Sequence, residues 1–228
     1  MITNRRLILP YAAPYLAYVF IASALGDLMS VEANYIVRLI IGGAVLSWAW
    51  KWYCPMKGPG SLLKSIFVGI AAGVIGLVLW ILFLIPFVDF VENDTWSTTA
   101  FMLRLLSAGL LVPIFEEILM RGFVFRLAFQ WGEAKRQKKA IPLHVSLDEK
   151  TINDVPPGAW SWTAVVISTI VFASGHHFYE WPAAIVFSLL MTFLWILRKD
   201  LIVCIVAHSV TNILLAVYVF TTNSWYLW

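Results

Sequence analysis

Apolar residues in this chain are gathered into long blocks, each closed by a short break of polar residues, glycine or proline. A helical crossing of a bilayer needs about 20 predominantly apolar residues. Blocks of that kind predict spans at Leu7–Met29, Tyr35–Trp52, Ser65–Val88, Thr98–Phe129, Trp160–Phe178, Pro182–Leu197 and Leu201–Phe220. A stretch such as IFVGIAAGVIGLVLWILFLIPFV shows no period-two alternation, which excludes a transmembrane barrel. The expected fold class is all-α: one polytopic bundle of about seven to eight membrane helices.

Composition supports the same picture. With 61% hydrophobic and only 13% charged residues, the chain has too little polar surface to cover a water-soluble core. Arg5 and Arg6 precede an apolar stretch and Ala22-Ser23-Ala24 imitates a cleavage site, as in a signal peptide. The stretch is long and interrupted by Pro10 and Pro14, so an uncleaved first span is expected instead.

Basic residues collect on the cytoplasmic side of membrane proteins. Arg5 and Arg6, then Lys51, Lys57 and Lys64, then Lys135, Arg136, Lys138 and Lys139, then Arg198 and Lys199 mark alternate connections. Asp27 and Glu32, then Asp89, Glu92 and Asp94, then Glu180 mark the others. This pattern predicts a cytoplasmic N-terminus and an outer C-terminus, in a bacterial-type plasma membrane. Trp48, Trp50, Trp52, Trp160, Trp162, Trp181, Trp225 and Trp228 fall near span ends, where an indole suits the headgroup layer. The net charge of +3 is this loop bias, and no nucleic-acid partner is needed to explain it.

Residues 132–158 form the one long polar insertion. They are expected to be a flexible cytoplasmic loop whose basic first half touches anionic lipid. No repeat or second domain interrupts residues 1–228, which read as a single integral-membrane domain. Cys54 and Cys204 have no ligand spacing and are expected to be buried small apolar groups.

Ionisable groups inside spans are costly, so they line cavities or pair with one another. Arg38, Arg104, Glu116, Glu117, Arg121, Arg126, His176, His177 and His208 qualify, with Asn212 beside them. Glu117 and Arg121 stand four apart with the acid first, the favourable order for a pair on one helix face. Glu116 is rotated by about 100° from Glu117. It is therefore expected to face a cavity while Glu117 and Arg121 orient it, although the two acids could exchange roles. His208 and Asn212 are also four apart and project side by side.

Counted from the predicted cytoplasmic ends, Glu116 and His176 reach mid-bilayer, and His208 lies about two turns shallower. A tilt or a break at Pro113 would have to close that gap. Each cluster also has a structural reading: a Glu–Arg pair ties helices together, and a lone histidine bonds a neighbouring helix. Arg38, Arg104 and Arg126 lie near span ends and are expected to snorkel. Acid, imidazole and imidazole-plus-amide on three spans together make a hydrolytic set.

The order EExxxR (Glu116, Glu117, Arg121), FxxxH (Phe172, His176) and HxxxN (His208, Asn212) resembles the signature of the CPBP family. These are intramembrane endopeptidases of the CAAX prenyl protease, bacteriocin-processing and abortive-infection types. The resemblance covers residues 98–220, the expected catalytic core. The spacing from Phe172 selects His176 and leaves His177 as an accessory or packing residue.

Hydrolysis needs a group to take a proton from water and donors for the oxyanion. Glu116 with His176 suits the first task, and His208 with Asn212 the second. Glu116, His176 and His208 also match a His₂Glu metal site, so a divalent ion such as zinc remains the alternative. No HExxH is present. A transporter is disfavoured because no repeated half or pair of broken helices is found. The rival is a non-catalytic scaffold or immunity protein of the same fold. The expected partners are membrane lipids and a peptide or membrane-anchored protein substrate, lipidated or not.

Overall fold

The computed structural model describes residues 2–88 and 96–227, all helix, turn or loop with no strand among them. The acidic connection expected at Asp89, Glu92 and Asp94 lies outside the described residues. α1 (Asn4–Ala24) and α2 (Val31–Ala49) form a hairpin, followed by α3 (Leu62–Leu84). One continuous rod of 39 residues then runs from Thr98 to Arg136. It comprises α4 (Thr98–Leu106), a π-helical stretch (Ser107–Leu111), α5 (Val112–Glu117), a second π-helical stretch (Ile118–Val124) and α6 (Phe125–Arg136). The chain continues through α7 (Pro142–Asp148), α8 (Trp162–Ser174), α9 (Trp181–Arg198) and α10 (Leu201–Thr222).

Local chemistry sets several helix starts. The side chains of Ser30, Ser97, Ser161 and Asp200 accept from the backbone N–H groups of Ala33, Ala100, Ala164 and Val203, satisfying donors that a first turn leaves open. Six of the described helices are long and apolar enough to cross a membrane. The predicted span Trp160–Phe178 is shorter than expected: α8 has 13 residues, about 20 Å at the usual rise. Gly175 ends it, and Pro182 follows at the start of α9.

α3 and α10 pack along a glycine stripe. A Cβ on Gly73 would stand 2.6 Å from Val210 Cβ and 2.8 Å from the Ala207 carbonyl oxygen, and one on Gly69 would meet Val206 Cβ at 2.8 Å. Helices in lipid gain little from hiding apolar surface from one another, so such close backbone contact is what holds them together. Gly122, next to Arg121 on the rod, is less demanding: its Cβ would have ordinary contacts with Tyr11, Cys54 and Leu201 at 3.4–3.6 Å.

Two sequence expectations are corrected here. Residues 132–158 are not a loose loop but a cap containing the end of α6, all of α7 and a 3₁₀ turn, Ile152–Asp154. Ile152 is fully buried. Asn4 Nδ2 donates to Gln130 Oε1 and to the Ser146 carbonyl, both at 2.7 Å, while Gln130 Nε2 donates to the Thr151 carbonyl at 2.7 Å. A polar sequence can order itself when its groups satisfy one another in this way.

Of the three arginines expected to snorkel, one is enclosed by protein. Arg126 is buried and lies over the Trp195 ring at 5.0 Å. Arg38 sits over Tyr18 and Tyr35 at 4.0 and 4.6 Å. Arg104 lies 4.8 Å from the Trp96 ring centroid and lines an internal cavity. An aromatic face meets each guanidinium.

Candidate active site

The rod supplies the carboxylates. Glu117 and Arg121 are both fully buried, with Arg121 Nη1 3.3 Å from Glu117 Oε2. Arg121 Nη2 donates to the Ser188 carbonyl at 2.8 Å and to its hydroxyl at 3.1 Å, tying the rod to α9. Glu117 Oε1 accepts from His208 Nδ1 at 3.0 Å. His208 Nε2 lies 3.8 Å from Glu116 Oε2, so the imidazole stands between the two acids.

The depth gap expected for His208 is absent, and Pro113 is not what closes it. α10 begins deep: Leu201 packs beside Gly122. The seven residues from Leu201 to His208 rise about 10 Å and the five or six from Gly122 back to the glutamates about 8–9 Å, close enough for the side chains to meet. Helix ends do not share one plane, which is why counting from each end misplaced His208.

Pro113 has a different effect. It has no N–H, so carbonyls in the preceding turn lose a helical donor. Asn212 Nδ2 donates to one of them, Ala108 O, at 2.7 Å. A carbonyl can only accept, so this contact fixes the amide orientation and leaves a second N–H and Oδ1. Two π-helical stretches flank the proline, a form often found at functional sites.

His176 lies just beyond α8. Its Nδ1 donates to the Phe172 carbonyl at 3.0 Å, leaving Nε2 with a lone pair. Phe172 and Trp80 hold the ring, at centroid distances of 4.8 and 5.5 Å. His177 stacks on Tyr179 and does not line the hollow that contains His176.

That hollow, about 170 Å³, is lined by Glu116, His176, His208 and Asn212 together. Trp80, Phe187, Arg104 and Glu180 also border it. A second cleft of about 320 Å³ is bordered by Glu116, Phe172 and His176, and by Tyr15 and Leu16 of α1. Sequence reading missed these contributors from the first three helices. Trp80 carries no motif, and Tyr15 sits on a helix that looked generic. The spacing of Gly69 and Gly73 on α3 was the one available sign that this region matters to α10.

The family described as Type II CAAX prenyl endopeptidase Rce1-like matches residues 98–214. The chain belongs to this family. No match was found among curated proteins or among solved structures. The matched segment holds every side chain of the EExxxR, FxxxH and HxxxN motifs, while α1 and α3 lie outside it. Membership in the Rce1-like family places the chain with membrane-embedded proteases.

A metal was the alternative for Glu116, His176 and His208. Among the described residues no three His, Cys, Asp or Glu side chains are gathered as an ion would require. His208 directs Nδ1 at Glu117 and Nε2 towards Glu116, and His176 commits Nδ1 to Phe172. Both histidines commit Nδ1 and keep Nε2 for another partner, as metal-bound imidazoles also do, so the donor chemistry suits an ion although the three groups stand apart.

Proposed function

We propose that the protein is an intramembrane endopeptidase that uses Glu116 to activate water. The observation behind this reading is the single hollow shared by Glu116, His176, His208 and Asn212. Water oxygen attacks the peptide carbonyl carbon as its proton passes to Glu116, and His176 Nε2 orients that water. The oxyanion is stabilised by the free N–H of Asn212 and by the Nε2–H of a doubly protonated His208, whose Nδ1–H stays on Glu117. Collapse breaks the C–N bond, and Glu116 returns the proton to the leaving amine. Glu117 does not react: Arg121 and His208 hold it, and it holds His208 in turn.

The substrate is a peptide segment at or in the membrane, and the Rce1-like relationship makes a lipidated C-terminal segment the first to try. The test is cleavage of a membrane-anchored reporter in liposomes by wild type, Glu116→Ala, His176→Ala and His208→Ala proteins, each checked for folding. Each substitution is expected to suppress cleavage by a factor of about 10² or more. Full activity in all three folded variants would overturn this assignment of residues, and no cleavage by folded wild-type protein would favour a scaffold role. Chelator is expected to leave wild-type cleavage unchanged. Loss of cleavage in chelator, restored by zinc, would show that the side chains rearrange around an ion.

A further inference from the structure

Away from the peptidase hollow, towards the α6 end of the rod, lies a cavity of about 350 Å³ whose lining includes Tyr53, Lys57, Arg126, Asn153 and Lys199. The charged residues lining it are all cations. Arg126 is only 4% exposed. Among the described residues it forms no ion pair; Nη1 donates to the Ile152 carbonyl across 3.4 Å, and Nε has no partner. A buried cation lacking an anion is costly, so the cavity is short of a negative group.

The wall opposite Arg126 is built rather than incidental. Lys199 ends α9 in the left-handed conformation, at φ 60°. Gly58 packs against its backbone carbonyl, where any Cβ would collide, and a Cβ on Gly158 would stand 2.7 Å from its Cγ. Two loops that close only on glycine therefore set the position of Lys199. The cavity adjoins the turn Trp50–Trp52, whose indoles suit the headgroup layer.

We propose that this cavity binds a phosphate-bearing anion, with Arg126 as the buried fork and Lys57 and Lys199 as its flanking charges. An anionic phospholipid headgroup is the expected source, because the site sits beside an interfacial tryptophan turn in a basic part of the chain. Free phosphate would present the same chemistry. The site is separate from the peptidase reading and does not depend on it.

Purified protein in neutral detergent would be titrated with dioctanoyl phosphatidylglycerol, dioctanoyl phosphatidylcholine and inorganic phosphate. Binding is read by native mass spectrometry and by the thermal midpoint. Phosphatidylglycerol should bind on the order of tenfold more tightly than phosphatidylcholine. The Lys57→Gln/Lys199→Gln double variant should lose that preference while keeping the lipid-free midpoint, and Arg126→Gln, if folded, should lose it as well. Binding of inorganic phosphate without a lipid preference would assign the same site to a free anion. No response to either anion, or a response unchanged in the double variant, would overturn the proposal.

Discussion

Residues 98–214 bring carboxylates, imidazoles and an amide to the central hollow, whereas α1 and α3 meet the same region with a phenol, an indole and a row of glycines. The first set has the chemistry, and the second decides where that chemistry stands. His208 and Asn212 project from α10, and α10 is positioned by how closely α3 lets it approach. Reactive groups leave motifs in a sequence. The absence of a side chain leaves almost none, although it fixes geometry just as firmly.

The strongest way to sharpen that division is within the neighbouring acids. Glu116→Gln is expected to lower kcat/KM by a factor of about 10²–10⁴ and leave the thermal midpoint in place. Glu117→Gln should act in the opposite sense, stranding the buried Arg121 charge and costing about 3–5 kcal/mol of stability in detergent unfolding. Equal loss of activity per folded molecule in both variants would erase the distinction.

The next largest effect tests the support. Gly73→Ala drives a Cβ into Val210 and the Ala207 carbonyl, and is expected to cost about 1–3 kcal/mol. Because α10 must shift to admit it, cleavage should fall along with stability. Gly43→Ala on α2 is the contrast: nothing stands within 4 Å of its Cβ. A neutral change or a gain of up to about 1 kcal/mol is expected there. Equal losses at the two glycines would break the comparison.

The smallest effect lies in the cap. Asp148 receives a hydrogen bond from Arg5 Nε at 2.5 Å, and the guanidinium holds its carboxyl below the ordinary aspartate range. The stabilisation is therefore complete above the usual value of 3.8 and is lost as pH falls through the lower folded value. The side chains are exposed and the pair is weak, so Asp148→Asn should remove a small acid-dependent part of the midpoint, read from thermal melts at falling pH.

Much of this was legible beforehand. Block length and lack of alternation were enough for an all-helical membrane bundle, and four-residue spacing was enough to pair Glu117 with Arg121. What escaped depends on contacts between distant segments. The depth of His208 follows from Leu201 lying against Gly122, and the order of the cap from Asn4 reaching Gln130 and Ser146. Arg38 meets Tyr18 and Arg126 meets Trp195, each a ring on another helix. None of these pairings has a local period to read.

Glu116 and His176 border both the polar hollow and the cleft beside α1. A hydrolase embedded in hydrocarbon must bring together two reactants of opposite solubility, and a wall with two faces lets them arrive separately. On the proposed reading, water is delivered past Arg104 and Glu180 while an oily chain slides in alongside Leu16, so neither has to cross the other's path.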